Sequence, residues 1–182
     1  MKTYTIENAK ELEKFKDDYG YHIEGNAEFE YSADFKGRLL VDGYLEAKAG
    51  ESIKAGGYIK AGGFIKAGWS IEAGGYIEAG EYIKAGWSIK AGEYIKAEYG
   101  ITAMLQIACK LSLKAGLRIF AGTCNWRDIA DEEKTIICGK LEGGKIEYGI
   151  LKETGIPEEK PQGKKVKIKL ADNQIVEGTI ID

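Results

Sequence analysis

Two prolines, one histidine and three cysteines among 182 residues leave several chemistries without their usual carriers. Both prolines, Pro157 and Pro161, fall in the tail, so none interrupts backbone hydrogen bonding before it. A lone histidine, His22, excludes a multi-histidine metal centre and leaves one candidate general base. It lies in an irregular early stretch and reads as a structural residue. Cys109, Cys124 and Cys138 lack metal-ligand spacing, and an odd number of thiols suits a reducing compartment. No apolar run is long enough to span a bilayer, and residues 1–18 are charged throughout, so the expectation is a cytoplasmic protein without membrane contact. Phosphate-loop, Ser-x-x-Lys and nucleophile-elbow signatures are missing too. The expectation is therefore a protein that is not an enzyme and uses no cofactor or metal.

Charge of either sign is also in short excess. The formal net charge is −3, and the central stretch is only slightly basic, too little to imply nucleic-acid binding by itself.

What is abundant is repetition. From residue 51 to 122 a six-residue phrase, Ile-Lys-Ala-Gly-Gly-Tyr and its variants, recurs in one frame, with the branched residue at Ile53, Ile59, Ile65 and onward to Ile119. A small residue follows two places later, and Cys109 occupies one of these small core positions. The exceptions to the phrase set a longer period: Trp69-Ser70-Ile71 returns as Trp87-Ser88-Ile89, and Tyr58, Tyr76 and Tyr94 share the same interval of 18. Three hexads thus make one coil. Each short strand pairs with its equivalent in the coils above and below, which is the pattern of a parallel β-helix.

The pleat sends Ile and Ala inward and the residue between them outward. Wall I then carries Lys54, Glu72 and Lys90, wall II carries Lys60, Glu78 and Lys96, and wall III carries the adjacent pair Lys66 and Lys84. Opposite charges one coil apart favour correct register on the first two. Wall III lacks that alternation and is expected to be the most basic. Glycine at the corners is expected to supply positive φ.

Residues 21–50 keep the hexad step in degenerate form, with two extra residues before Ile53 that read as a corner bulge. Residues 5–19 place Ile6, Ala9, Leu12, Phe15 and Tyr19 on one helical stripe, starting at Thr5 or Asn8 and stopping at Gly20. After Gly122 the frame is lost. Thr135–Cys138 and Lys145–Leu151 read as two strands, 153–164 as a linker, and 165–170 with 174–181 as a hairpin about Asp172-Asn173. The expected fold is mainly β: a three-sided parallel β-helix over 21–122, an N-terminal capping helix within 1–20, and a C-terminal cap or interaction region with a β-hairpin over 123–182.

Outside the core the solenoid displays aromatics in columns: Tyr58, Tyr76 and Tyr94; Phe64 and Tyr82; Trp69 and Trp87. Stacked corner aromatics shield turns. Beside Lys66 and Lys84 they also form a candidate partner-binding face, for protein or, more weakly, nucleic acid. The early acids Glu11, Asp17, Asp18, Glu24, Glu28 and Glu30 are candidates to mimic phosphates. Lys160, Lys164, Lys165, Lys167 and Lys169 form a basic cluster in the tail.

The Lys2-Thr3-Tyr4-Thr5-Ile6-Glu7-Asn8-Ala9 opening, the Ile-Lys-Ala-Gly-Gly and Ile-Glu-Ala-Gly phrases and the overall length resemble phage and mobile-element anti-CRISPR proteins that inhibit type II Cas9. The likeness runs the whole chain. It implies a non-enzymatic inhibitor that binds Cas9 or its guide-RNA complex in the bacterial host cell and blocks target DNA recognition or cleavage. It assigns no residue. Two enzyme likenesses stop at the repeat. The hexapeptide acyltransferases rely on a catalytic histidine, and pectin-lyase-like helices cluster acids around calcium. The alternative is structural, a bactofilin-like polymer-forming scaffold, with a homodimer through the C-terminal hairpin as a closed variant.

Overall fold

A computed structural model describes residues 1–156 together with the backbone of strands Lys164–Lys169 and Ile175–Ile180. Its body is the three-walled parallel solenoid. Wall I stacks Ala33–Phe35, Ile53–Ala55, Ile71–Ala73, Ile89–Ala91, Ile107–Cys109, Thr135–Cys138 and Ile150–Glu153. Walls II and III are joined by the ten-residue strand Ser112–Ala121, which runs along wall II, turns the corner and continues on wall III. Register is the sequence period itself: Ile71 faces Ile53 and Ile89, Ile77 faces Ile59 and Ile95, and Ile65 faces Ile83.

The inward columns hold the molecule together. Ile53, Ile59, Ile65 and their successors through Ile119 are wholly buried, and the following alanines are nearly so. A column of β-branched side chains fits the pleat, and each fully buried Ile removes enough apolar surface to contribute roughly 2–3 kcal/mol. Cys109 and Cys138 both lie in this core, where burial pushes the Cys109 thiol up to about 12.

Corner glycines are required for space rather than for φ. A Cβ at Gly74 would lie 2.0 Å from the carbonyl oxygen of Gly56, and one at Gly92 would lie 1.9 Å from that of Gly74, yet neither has positive φ. The backbone of each corner closes directly on the corner beneath, as in the 2.9 Å bond from the Gly74 amide to the Ala55 carbonyl. Where Glu98 and Met104 replace glycine, the equivalent bonds lengthen to 3.3 Å. Positive φ belongs instead to places where the coil is interrupted. Gly50, at +86°, turns the two-residue bulge that shifts the Leu45–Ile65 register to twenty positions.

The start of the chain departs from a helix over 5–19. Thr3–Ile6 is a strand paired in parallel with Asn26–Phe29, and only Ala9–Leu12 is α-helical, followed by a 3-10 turn over Glu13–Phe15. The Thr-Tyr-Thr-Ile segment favours an extended backbone, and the first coil offers it an unpaired edge. Asn8 caps the short helix, its side chain accepting from the Lys10 and Glu11 amides. Ile6 and Leu12 close the core while Tyr19 is 74% exposed, and Gly20 opens a strand instead of ending a helix.

The other end departs too. The frame is interrupted after Gly122, not lost: Ile107 faces Ile136, twenty-nine positions on, so an eleven-residue insertion precedes a further coil. Thr135–Cys138 and Ile150–Glu153 rejoin wall I, while Lys140–Tyr148 covers Ser112–Ala121 with register shifts around Gly143 and Glu147. The solenoid therefore reaches Glu153 rather than ending at 122. The C-terminal hairpin forms, with Lys164 facing Ile180 and Lys169 facing Ile175. Its turn about Asp172-Asn173, part of the linker and the side chains of the lysine cluster lie outside the described residues.

Candidate interaction surface

The corners and outward columns are where the solenoid meets its surroundings. At the corner between walls I and II, Tyr58, Tyr76 and Tyr94 stack face to face with centroids 4.5 and 4.7 Å apart. Arg38 continues the column: its Nη1 donates to the Tyr58 hydroxyl at 3.0 Å, Nη2 binds Asp17 at 2.6 Å, and Tyr19 lies over the guanidinium. At the top, burial and the Glu78 carboxylate push the Tyr94 phenol up to about 12.

At the corner between walls II and III, Phe64 and Tyr82 stack at 5.0 Å, and Tyr44 extends the column below Phe64 at 4.7 Å. Neither Tyr44 nor Arg38 belonged to the expected columns, because the bulge at Gly50 shifts them to a spacing of twenty. At the third corner Trp69 and Trp87 stack at 4.6 Å, backed by a serine column in which the Ser70 amide reaches Ser52 Oγ at 3.3 Å.

Stacking settles what these rings offer. Each ring gives at least one face to its neighbour in the column, and Tyr58, Phe64, Tyr76, Tyr82, Tyr94 and Trp87 are all half-buried. Trp69 is the exception at 45% exposed. The Trp corner is also bordered by the insertion, whose Arg127 guanidinium lies 5.9 Å from the Trp87 ring while pairing with Glu133. That cation holds the Glu133 carboxyl down at about 2.

The charge pattern differs from expectation in one respect. Outward along wall III the column runs Glu28, Glu46, Lys66, Lys84, Thr102 and Phe120, so two acids balance two lysines. Lys66 is held by Glu46 at 2.6 Å, whereas Lys84 is exposed. Wall II, with Lys60, Glu78, Lys96 and Lys114, is the more basic because the alternation ends at Lys114. Glu78 is shared between Lys60 at 3.3 Å and Lys96 at 3.9 Å. Several early acids are engaged within the fold: Asp17 by Arg38, Glu28 by the Tyr44 hydroxyl, Glu30 by Lys48.

Other chemistry is sparse. His22 Nε2 lies 2.9 Å from Asp42 Oδ1 on an open surface. Two shallow depressions of about 310 and 360 Å³ are lined by acids beside lysines: Glu78, Lys96, Lys114 and Glu142 in one, Lys54, Glu72 and Lys90 in the other. Among the described residues no three His, Cys, Asp or Glu side chains converge as metal ligands, and no helix is long and apolar enough to cross a membrane.

Besides Trp69, four exposed apolar groups on the solenoid and its insertion were not among the expected interaction residues. Tyr99 and Leu117, at 55% and 61% exposure, sit at a corner position held by Gly43, Gly63 and then Glu81 in earlier coils, and that departure from glycine was the available signal. Trp126 and Tyr148, at 57% and 47%, lie in the insertion and the last coil, where the repeat gives no guide.

Comparison with protein-family models, with curated proteins and with solved structures gave no match to this chain.

Proposed function

We propose that this protein is a non-enzymatic inhibitor that binds the Cas9–guide RNA complex and prevents target recognition or cleavage. The observation that supports a binding role is the distribution of its chemistry. The interior is a column of Ile and Ala, while the exposed Trp69 stands on a stacked ridge beside Lys66 and Lys84. Rigid aromatic side chains flanked by cations cost little conformational entropy to dock and are favoured at protein interfaces. The choice of Cas9 rests on the resemblance of the opening octapeptide and the hexad phrases to anti-CRISPR proteins. A stiff rod with charged flanks suits occlusion of a charged channel.

The test mixes the full chain with guide-loaded Cas9. Co-elution with suppression of DNA cleavage is the expected result. Full cleavage without complex formation at excess inhibitor contradicts it.

A polymer-forming scaffold has one observation in its favour: strands Lys140–Tyr148 and Ile150–Glu153 have no neighbour on their outer edge among the described residues. Against it, the opposite end is covered by Thr3–Ile6 and the short helix, and register shifts roughen the free edge. Particles that grow with concentration in sedimentation would favour the scaffold.

A further inference from the structure

The two ends of the solenoid are closed to different degrees. At the start, the segment before the first full coil folds over the core, and Ile6 and Leu12 are buried there. At the finish, the inward residues are Leu141, Ile146 and Leu151, which stand over Leu113, Ile119 and Ile136. The lower three are wholly buried, whereas the upper three are only half-buried. The outer edges of Lys140–Tyr148 and Ile150–Glu153 have no neighbouring strand among the described residues. Such an end exposes branched apolar groups beside free backbone edges, the combination that solenoids cover with a terminal cap.

The chain carries a matching element just downstream. Strands Lys164–Lys169 and Ile175–Ile180 pair with each other and, among the described residues, with no third strand. A lone two-stranded hairpin is marginal in water unless one face packs against something. Its register sorts the residues: Val166 lies opposite Gly178, Ile168 opposite Val176 and Lys164 opposite Ile180. Val166, Ile168, Val176 and Ile180 therefore fall on one face, and Lys165, Lys167, Lys169 and Glu177 on the other.

The connection decides which molecule supplies the cover. Only seven residues, 157–163, separate the exposed Ile156 at the end of the last coil from Lys164. Eight residue steps reach about 26–29 Å at full extension, more than the roughly 20 Å spanned by the six residues of one wall. A tether of this length holds the hairpin at a millimolar effective concentration beside the open end, which a second copy matches only in concentrated solution.

We infer that the open C-terminal end of the solenoid is a docking site for the chain's own hairpin, whose Val166, Ile168, Val176 and Ile180 face covers Leu141, Ile146 and Leu151. A covered end offers no edge to another chain, so the cap also stops the solenoid from extending end to end.

The test places spin labels at Lys145, an exposed position of the last coil, and at Lys167 in full-length Cys124→Ser protein, alone and diluted into excess unlabelled chain. Packed layers stand about 10 Å apart, so with the label side chains a narrow distribution centred below about 30 Å is expected, unchanged by dilution. A broad distribution overturns the docking. A narrow one that vanishes on dilution names a second copy as the occupant and overturns the intramolecular cap. In full-length Ile168→Glu, hydrogen exchange at Lys140–Tyr148 and Ile150–Glu153 is expected to accelerate at least about tenfold, while Ile71–Ala73 exchanges as in the parent and reports an intact body. Parent-like exchange at the last coil in that variant overturns the apolar contact.

Discussion

A single hydrogen at a corner position decides how closely two coils approach. Gly74 and Gly75 are neighbours in sequence and differ in what a methyl group would meet. At Gly74 a Cβ would fall 2.0 Å from a backbone oxygen, whereas at Gly75 the nearest atoms stand at 3.6 Å, with no positive φ at either. Gly74→Ala is expected to destabilise the fold by about 1–3 kcal/mol, because the coil beneath must move. Gly75→Ala is expected to be neutral or stabilising by up to about 1 kcal/mol, through the loss of unfolded-state freedom. Urea unfolding of the two variants checks the contrast, and equal effects would show that corner packing is not the constraint. The Gly-Gly phrases were legible as corners in the sequence. Their reason was not, since steric closure depends on the coil below and appears only once the strands are stacked.

At the scale of the element, the columns act as units. The Tyr58–Tyr76–Tyr94 stack is anchored at one end by Arg38 and at the other lies beside the Glu78 carboxylate. Burial and that negative charge hold the Tyr94 phenol neutral up to about 12, against an ordinary value near 10. Because the folded-state value is raised, this contribution to stability is complete below pH 10 and is lost as pH climbs towards 12. Absorbance at 295 nm should therefore show a late tyrosine titration, shared with Tyr21, whose amplitude Tyr94→Phe reduces. An unchanged curve in that variant would contradict the assignment. The same scale shows why residues 5–19 do not form the expected single helix. Ile6, Leu12 and Phe15 satisfy a helical stripe, yet Ile6 is buried as the end of a strand and Leu12 as part of a four-residue helix. A local periodicity could not reveal that the first coil left an edge for Thr3–Ile6 to complete.

For the molecule as a whole, the solenoid makes stability a sum over neighbouring coils and leaves function to the outside. The coil of 18 residues, the inward Ile and Ala columns and the hairpin pairing all followed from the sequence, because each is a local pattern repeated. The final coil did not, because eleven inserted residues hide its register; with it went Tyr148 and the free edge of Lys140–Tyr148. Among the surface residues, the aromatic columns were legible. Their mutual stacking shifts the exposed apolar surface to Tyr99 and Leu117, where the repeat departs from glycine.

The most direct test of the account is the distance along wall I between spin labels at Lys54 and Lys152 in a Cys124→Ser background. Five strand steps, through Glu72, Lys90, Ala108 and Ile137, separate these exposed positions. At about 4.8 Å per step the backbones stand about 24 Å apart. A narrow distribution between about 20 and 30 Å is the predicted result. A broad distribution, or one centred beyond about 40 Å, would contradict a continuous three-walled coil that resumes after the insertion.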